Sequence, residues 1–290
     1  MKMRSAAIIT NFNIKEKFST AMKVAELLRD RDVEIRVDTV ADKSIRSQNE
    51  SFPSYKVFSP DQLCNGADFA VVLGGDGSII DALKRAAAYC TPVIGINFGR
   101  VGFLAEIERN EIDMLNRVID GDFRTEERSM LFVQIFSESG QKKFADFAAN
   151  EAVISNGSIS KIVDLEVSEN DVLITNVRAD GLIITTPTGS TAYSLSAGGP
   201  IIDPRVKCLC LTPICPHSLT VRPIVFSENA VIDIKYMPQR VKNVYLTIDG
   251  RKNTELSFGD RVTITKANRA PIFIRLKEHS FYTKLSSKIK

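Results

Sequence analysis

The chain has 290 residues, of which 44% are hydrophobic and 25% are charged, and its formal net charge is +3 at pH 7. This composition is typical of a globular protein with a sizeable core and excludes a largely disordered chain. The small charge and the lack of a dense basic run do not favour nucleic acid, so we expect no nucleic-acid partner. The sequence has no apolar run near the ~20 residues that a membrane span needs, so we also expect no membrane partner.

Five cysteines occur without Cys-x-x-Cys spacing. This pattern indicates reduced thiols and hence a cytoplasmic protein. Cys208, Cys210, Cys215 and His217 lie close together in the sequence. Their spacing differs from that of the paired ligands in structural zinc sites, so the sequence assigns no metal ligand.

The first 125 residues alternate between the periods typical of strands and helices. Residues 6–10 and 33–37 predict strands, and an apolar stripe over residues 14–28 predicts a helix between them. The polar residues 41–56 predict a loop, and the apolar residues 69–73 predict a buried strand. We therefore predict a Rossmann-like, doubly wound α/β domain over residues 1–125.

The rest of this first domain follows the turn Gly74-Gly75-Asp76-Gly77, which comes directly after the predicted strand at 69–73. Ser78 is the expected N-cap of a helix that continues to about residue 89. A strand at 92–96 and a polar helix at 110–119 are predicted next.

The pattern changes after residue 125 to short strands separated by Gly, Asn, Asp and Pro. It predicts an all-β second domain over residues 126–275. The predicted strands are 131–136, 144–148, 152–155, 162–167, 172–177, 182–185, 231–236, 244–248, 261–265 and 272–276.

The turn at residues 74–77 is suited to phosphate binding. Glycines at Gly74, Gly75 and Gly77 permit a tight turn and close approach of a phosphate to backbone N–H groups at the start of a helix. Asp76 can take the proton of an attacking hydroxyl or hold a magnesium ion against phosphates. The turn is not a Walker A loop or a Gly-x-Gly-x-x-Gly motif, so it indicates phosphate chemistry without a nucleotide class.

A second constellation, residues 180–200, is dense in hydroxyl side chains and glycines and contains one aromatic residue. Such hydroxyls can bind ribose or phosphate groups. Tyr193 can lie flat against a base and still form a hydrogen bond.

Taken in order, six segments resemble the NAD kinase family. The Thr186–Pro200 segment is the most specific of them. The segments are 74–77, 97–104, 150–151, 178–181, 186–200 and 211–219.

The resemblance implies transfer of the γ-phosphoryl group of ATP to the 2′-hydroxyl of the adenosine ribose of NAD, giving NADP. It implies a divalent metal, which we expect to be magnesium, with ATP as co-substrate. It also implies a β-sandwich for the second domain, a C-terminal segment (residues 276–290) that returns to the first domain, and a homodimer or homotetramer.

The resemblance also implies the roles of individual residues. Asp76 matches the catalytic aspartate, and Gly74, Gly75 and Gly77 match the phosphate-binding turn. Asp249 and Arg251 match weaker positions, where the family often has Gln or His third in the Asp249-Gly250-Arg251 triplet. The expected NAD-binding residues are Asp76, Gly77, Phe103, Asn150, Glu151, Lys161, Arg178, Asp180, Thr191, Ala192, Tyr193, Ser194, Leu195 and Ser196.

One of these positions departs from the family: Lys161 stands where Arg or His is usual. It keeps a positive charge but loses the planar fork that binds a phosphate through two bonds.

Two alternatives remain open from the sequence. A related kinase with the same turn acts on a lipid or sugar hydroxyl, and a non-enzymatic dinucleotide sensor uses the same pocket. The residues also leave open ATP or polyphosphate as donor, and NAD or NADH as acceptor.

Overall fold

The computed structural model describes residues 2–48, 50–100, 102–157, 162–218, 220–237, 243–278 and 281–288. The chain forms two compact units. One contains the residues up to Glu127 together with those from Arg269 onward, and the other contains Arg128–Asn268. No helix in the described ranges is long and apolar enough to cross a membrane.

The helices and strands follow in chain order. Up to residue 127 they are β1 (Ser5–Ile9), α1 (Lys15–Asp30), β2 (Glu34–Asp38), α2 (Thr39–Arg46), β3 (Lys56–Phe58), β4 (Phe69–Gly74), α3 (Asp76–Ala86), β5 (Val93–Asn97), α4 (Leu115–Asp120) and β6 (Arg124–Glu127). From 128 to 268 they are β7 (Leu131–Phe136), β8 (Lys142–Ala148), β9 (Glu151–Asn156), β10 (Val163–Glu169), β11 (Val172–Ala179), β12 (Gly181–Thr185), α5 (Tyr193–Ser196), β13 (Cys208–Ile214), β14 (Ile224–Ser227), β15 (Ile232–Tyr236), β16 (Val244–Ile248), β17 (Lys252–Leu256) and β18 (Arg261–Lys266). The chain closes with β19 (Ile272–Arg275) and α6 (Phe281–Lys288).

The first unit is built on one sheet with the order β3-β2-β1-β4-β5-β19-β6. Its strand pairs are parallel except for β19 with β6. β4 is buried along its whole length, as expected for a parallel strand covered on both faces. Helix α1 buries one stripe that includes Phe18, Ala21 and Leu28, which join the core of the sheet.

The strand order reverses at β1, which lies between β2 and β4. Ligands of doubly wound sheets bind outside the carboxyl ends of strands at such a reversal. The turn of interest follows the carboxyl end of β4, and the Thr10 hydroxyl after β1 donates to the Leu73 carbonyl at 2.9 Å. The topology therefore places residues 74–77 where this fold class binds its ligands.

The second unit consists of two antiparallel sheets. Their orders are β11-β10-β15-β18-β7-β8 and β14-β13-β12-β9-β16-β17. A single apolar core contains residues of the first sheet, such as Val133 and Leu165, and of the second, such as Ile154 and Leu246. The predicted fold class, an α/β domain plus a β-sandwich, is confirmed.

Three local predictions were wrong. The predicted loop at 41–56 begins with helix α2, because the Asp38 carboxylate accepts the N–H groups of Val40 at 3.0 Å and Ala41 at 2.8 Å. Helix α3 begins at Asp76 with Gly75 as N-cap, so Ser78 lies inside the helix. The predicted helix at 110–119 starts as a short 3-10 turn and becomes α-helical only at Leu115.

The C-terminal part of the predicted second domain also differs in its placement. Residues 269–275 were expected within that domain, but they belong to the first unit. The physical reason is β19, which pairs in parallel with β5 and antiparallel with β6.

Candidate functional site

The glycine turn depends on close packing of two backbone segments. A Cβ placed on Gly75 would lie 3.3 Å from the Gly99 Cα, and one placed on Gly99 would lie 3.0 Å from the Gly75 Cα. Distances this short leave little room for a side chain at either position. The Gly74 carbonyl accepts the Phe98 N–H at 3.0 Å, which ties the turn to the segment that follows β5.

Asp76 lies in the first turn of α3 and is half-buried. Its carboxylate accepts backbone N–H bonds from Leu104 at 2.9 Å and from Phe103 at 3.2 Å. Bonds from two consecutive amides fix the direction of the carboxylate, and bonds to an ionised acceptor are stronger than neutral ones. Phe103, one of the expected NAD-binding residues, therefore contacts the catalytic candidate Asp76 through its backbone N–H.

Asn97 organises the residues between β5 and these two amides. Its Oδ1 accepts the Gly99 N–H at 2.9 Å, and its Nδ2 donates to the two Glu108 carboxylate oxygens at 3.1 and 3.2 Å. Gly102 packs over it with φ +66°, and a Cβ there would lie 2.7 Å from Asn97 Nδ2. Sequence reasoning missed this role, although an asparagine at the end of a buried strand, two residues before a glycine, was a usable signal.

The C-terminal part of the first unit supports the same region. The Glu106 carboxylate accepts the N–H groups of Leu276 at 2.9 Å and Lys277 at 2.8 Å. The Lys284 ammonium group in α6 donates to the Ala105 carbonyl at 2.7 Å. Residues 105 and 106, directly after the Leu104 amide, are thus held by the last elements of the chain.

In the second unit, Asn150 and Glu151 form the entry to β9. The Asn150 carbonyl accepts the Thr186 N–H at 2.8 Å and the Thr185 hydroxyl at 2.9 Å. A Cβ placed on Gly189 would lie 2.4 Å from the same carbonyl oxygen. The structure therefore brings the 150–151 pair against the beginning of the Thr186–Pro200 segment, two sets predicted separately from the sequence.

Glu151 is buried, with 5% of its surface exposed. Within the part of the chain that the structure describes, its Oε2 has no hydrogen-bond partner. Burial, and then the negative charge of Asp249, raise the pKa of the Glu151 carboxyl to about 8. An unpaired buried carboxyl oxygen is uncommon in folded proteins and is typical of functional sites.

Asp249 lies in the turn between β16 and β17 with φ +47°. Its carboxylate accepts the N–H groups of Ala149 at 3.0 Å, Asn150 at 2.8 Å and Glu151 at 3.1 Å. Arg251, in the same turn, is exposed. The structure thus joins Asp249 directly to the Asn150–Glu151 pair.

The hydroxyls of the Thr186–Pro200 segment divide into inward and outward sets. Ser190 and Ser194 are fully buried, and the Ser194 hydroxyl bonds Thr212 Oγ1 at 2.9 Å. Tyr193 is 46% exposed, and Ser196 is also exposed. The remaining predicted residues of this segment, Thr191, Ala192 and Leu195, are half-buried.

Two further predicted residues lie at the end of β11. Arg178 is exposed and its Nε bonds the Asp164 carboxylate at 2.9 Å. Asp180 is exposed between β11 and β12, and its backbone N–H donates to the Ile214 carbonyl at 3.0 Å. Lys161 lies outside the described residues.

No group of three or more His, Cys, Asp or Glu side chains that could hold a metal ion occurs among the described residues. Cys208 and Cys210 are buried in β13 as free thiols, and Cys215 is exposed. Burial raises the pKa of the Cys210 thiol, as is typical of an unreactive core cysteine.

A carboxylate at a helix N-terminus, next to a glycine turn at the reversal point of a parallel sheet, is typical of phosphate-handling α/β enzymes. Comparison with known families narrows this class. Residues 6–123 match the ATP-NAD kinase N-terminal domain, and residues 149–276 match the ATP-NAD kinase C-terminal domain.

Individual relatives agree with the family matches. The NAD kinase of Citrifermentans bemidjiense is 37% identical over 99% of both chains. That of Trichlorobacter lovleyi is 41% identical over 79% of this chain and 80% of its own. The chain therefore belongs to the ATP-NAD kinase family, and the resemblance inferred from its motifs is confirmed.

Two solved structures share the fold. The NAD kinase from Archaeoglobus fulgidus in complex with ATP superposes with a TM-score of 0.70 at 26% identity, covering 99% of this chain and 98% of its own. Yeast NADH kinase complexed with NADH gives 0.89 at 24% identity, covering 99% and 87%. The alternatives of a lipid or sugar kinase and of a dinucleotide sensor find no support in these comparisons.

Proposed function

We propose that this protein transfers the γ-phosphoryl group of ATP to the 2′-hydroxyl of the adenosine ribose of NAD, producing NADP. The observation that carries this proposal is the Asp76 carboxylate, oriented by two backbone amides at the start of α3 in a chain of the ATP-NAD kinase family. The named ligands of two solved neighbours, ATP for one and NADH for the other, support the two substrate classes.

Asp76 is the proposed general base. In the reaction, the 2′-hydroxyl oxygen bonds the γ-phosphorus, the bond to the bridging oxygen of ADP breaks, and the hydroxyl proton passes to the Asp76 carboxylate. A positioned base contributes about 10²- to 10⁴-fold to rate. The proposed phosphate contacts are Gly74, Gly75 and Gly77, since the positive end of the α3 dipole favours anionic oxygens there.

Asn150 and Glu151 are the proposed ligands of the ribose hydroxyls. An amide and a carboxyl group offer both donors and acceptors, which vicinal hydroxyls require. The raised pKa of Glu151, about 8, keeps it protonated near neutral pH, so this carboxyl can donate one hydrogen bond as well as accept others. The orphaned Oε2 supports this role, because a ribose hydroxyl would give it the partner it lacks.

The remaining dinucleotide contacts are proposed from exposure and family position. Tyr193 presents an exposed ring that can stack on a base. Arg178, Asp180 and the exposed Ser196 have side chains accessible to ligand. The same role is proposed for Gly77, Phe103, Lys161, Thr191, Ala192, Ser194 and Leu195, and more weakly for Asp249 and Arg251.

A divalent cation, magnesium, is part of the proposal. Mg²⁺ in kinases is held by one or two carboxylates together with substrate phosphates and waters. Such a site needs no three-carboxylate cluster, so the half-buried Asp76 carboxylate at the phosphate turn fits it. When bound, the ion would neutralise charge on the β- and γ-phosphates.

We further propose a homodimer or homotetramer in the cytoplasm. β11 is an edge strand of its sheet, and Val172, Leu173 and Ile174 on it are 63%, 56% and 39% exposed. Such an edge favours association with a second copy of the chain. All five cysteines are free thiols, which supports a reducing compartment. Sedimentation of wild type against Leu173→Lys tests the association, and an unchanged oligomer in the variant would contradict this edge as the contact.

The activity is tested by incubating the protein with NAD, magnesium and either ATP or polyphosphate, and reading NADP with an NADP-specific dehydrogenase. NADP formation with ATP is expected. Parallel reactions with NADH, a diacylglycerol and a sugar phosphate measure the acceptor range. Consumption of ATP on one of these, without NADP formation from NAD, would contradict the proposal.

A further inference from the structure

Asp249 is connected to the backbone of the candidate ribose site through its side chain and its own N–H group. Its two carboxylate oxygens together accept three consecutive N–H groups, those of Ala149, Asn150 and Glu151, at 2.8–3.1 Å. Its own N–H donates to the Glu151 carbonyl at 3.0 Å. A ring of bonds therefore joins the β16–β17 turn to the residues that open β9.

This arrangement requires an unusual backbone. Asp249 has φ +47° and the next residue, Gly250, has φ +68°. Left-handed conformations cost free energy for residues other than glycine, although aspartate and asparagine tolerate them best. The chain thus holds a strained turn in the position from which one carboxylate reaches three amides.

We propose that Asp249 is a positioning residue that fixes the backbone at residues 149–151 and so sets the direction of the Asn150 and Glu151 side chains. This inference rests on the proposed function, because it assigns Asp249 a role behind the ribose ligands. We assign Asp249 this positioning role in place of direct substrate contact, because the Asp249 carboxylate already accepts three backbone N–H groups.

The negative charge of Asp249 also affects the pKa of Glu151. Two strands flank Glu151. On β12, Glu151 pairs with the uncharged Thr185. On β16, Asp249 directly follows Ile248, the residue that pairs with Ala152. Burial and then Asp249 raise the Glu151 pKa. Removing the negative charge of Asp249 is therefore expected to lower that pKa, while burial keeps it above its usual value.

The test is Asp249→Asn, which keeps the size of the side chain and tolerates positive φ. Its amide group turns a donor toward one of the three N–H groups, so the support of residues 149–151 weakens. We expect kcat/KM for NAD to fall about 10- to 100-fold through a higher KM for NAD, as expected for a small misplacement of binding groups. The KM for ATP is expected to stay the same.

Asp260→Asn is the matched control. Asp260 is a buried carboxylate on another turn of the same unit, and it accepts the Ser257 N–H at 2.8 Å and a Lys143 bond at 2.6 Å. Neither partner belongs to residues 149–151, so any loss of stability in this variant is expected to leave the KM for NAD unchanged. A purely structural role for Asp249 predicts that both variants change the kinetics equally, which would overturn the proposal.

Two measurements test the role of Asp249 independently of whether the protein forms NADP. Carboxyl-carbon NMR of glutamate-labelled protein follows the Glu151 titration, which Asp249→Asn should move to lower pH, and calorimetry follows NAD binding without turnover. If wild type makes no NADP, the proposed function fails while these readouts still decide the role of Asp249. If Asp249→Asn does not fold, Asp249→Gly, which adopts positive φ freely, gives the same comparison. Unchanged NAD affinity and an unchanged Glu151 titration in the folded variant would overturn the role.

Discussion

Replacing Asp76 by asparagine removes the proposed base while changing few atoms. The two backbone N–H groups of Phe103 and Leu104 that bond the carboxylate remain. An asparagine can accept one of these bonds through its oxygen, but its amide nitrogen points a donor at the other. The variant therefore loses the proton acceptor and one of two supporting bonds.

Loss of the supporting bond lowers stability, whereas loss of the proton acceptor lowers kcat. A hydrogen bond to a charged group contributes about 1.5–3 kcal/mol, and a negative charge in the first helical turn contributes about 0.3–1 kcal/mol. We expect the free energy of unfolding to fall by about 2–4 kcal/mol, the sum of these two contributions, which leaves an ordinary domain folded. Loss of the base is expected to lower kcat about 10²- to 10⁴-fold. Turnover thus falls far more than stability explains.

Asp38→Asn provides the matched control in the same unit. The Asp38 carboxylate also accepts two backbone N–H groups, those of Val40 and Ala41, at the start of α2. Asparagine is as good an N-cap as aspartate, so this variant should keep wild-type kcat. NADP formation and urea unfolding are measured for both. An Asp76→Asn enzyme that is folded and retains more than about a tenth of wild-type kcat would refute the role of Asp76 as base.

Three further changes have defined outcomes. Asn97→Ala removes the partner of Glu108 and should lower the free energy of unfolding by about 1–3 kcal/mol and lower kcat, in urea unfolding and the NADP assay; unchanged values would contradict the role of Asn97. Gly189→Ala places a Cβ 2.4 Å from the Asn150 carbonyl oxygen and should raise the KM for NAD; an unchanged KM would mean that the pair tolerates displacement. Glu151 has a folded pKa of about 8 against 4.5 unfolded, so its native state binds more protons and stability falls as pH rises through this window. The free energy of unfolding of wild type should therefore fall by up to about 5 kcal/mol relative to that of Glu151→Gln between about pH 4.5 and pH 8. A difference between the two proteins that stays constant over this pH range would contradict the prediction.

The sequence predicted elements whose apolar pattern is continuous. β4 and the turn after it were recognisable because an unbroken apolar run meets a cluster of glycines. Edge strand β6 was missed for the opposite reason. β6 has the sequence Arg-Thr-Glu-Glu and lies at the sheet edge, where no apolar alternation is needed. Helix α2 was missed because only Ala41 and Ile45 are buried in a polar segment.

The sequence predicted which residues belong to the candidate site but not which groups they form hydrogen bonds with. Asp76 was identified from its turn, yet the amides of Phe103 and Leu104 that orient it follow a different strand and carry no side-chain signal. Ser194 was expected as a ligand because it is a hydroxyl, and the sequence did not show that this hydroxyl is buried against Thr212. Backbone donors and the inward or outward direction of a hydroxyl depend on the assembled fold.

The hydrogen bonds of Asp249 were likewise not predictable from the sequence, because they join residues that are far apart in the chain. Sequence reasoning treated it as a weak ligand next to Arg251, because the triplet alone shows a turn and a carboxylate. Its bonds to residues 149–151 join segments that are about a hundred residues apart in the chain. A single sequence has no local pattern that reports such a pairing.

The most direct test of the central claim is transfer of label from γ-labelled ATP to NAD by the wild-type protein with magnesium. We expect the label to appear in a product that an NADP-specific dehydrogenase reduces, in a one-to-one ratio with the ADP released, and we expect Asp76→Asn to slow this transfer about 10²- to 10⁴-fold. Release of the label as free phosphate, or its appearance in a product that this dehydrogenase does not accept, would contradict phosphorylation of the 2′-hydroxyl.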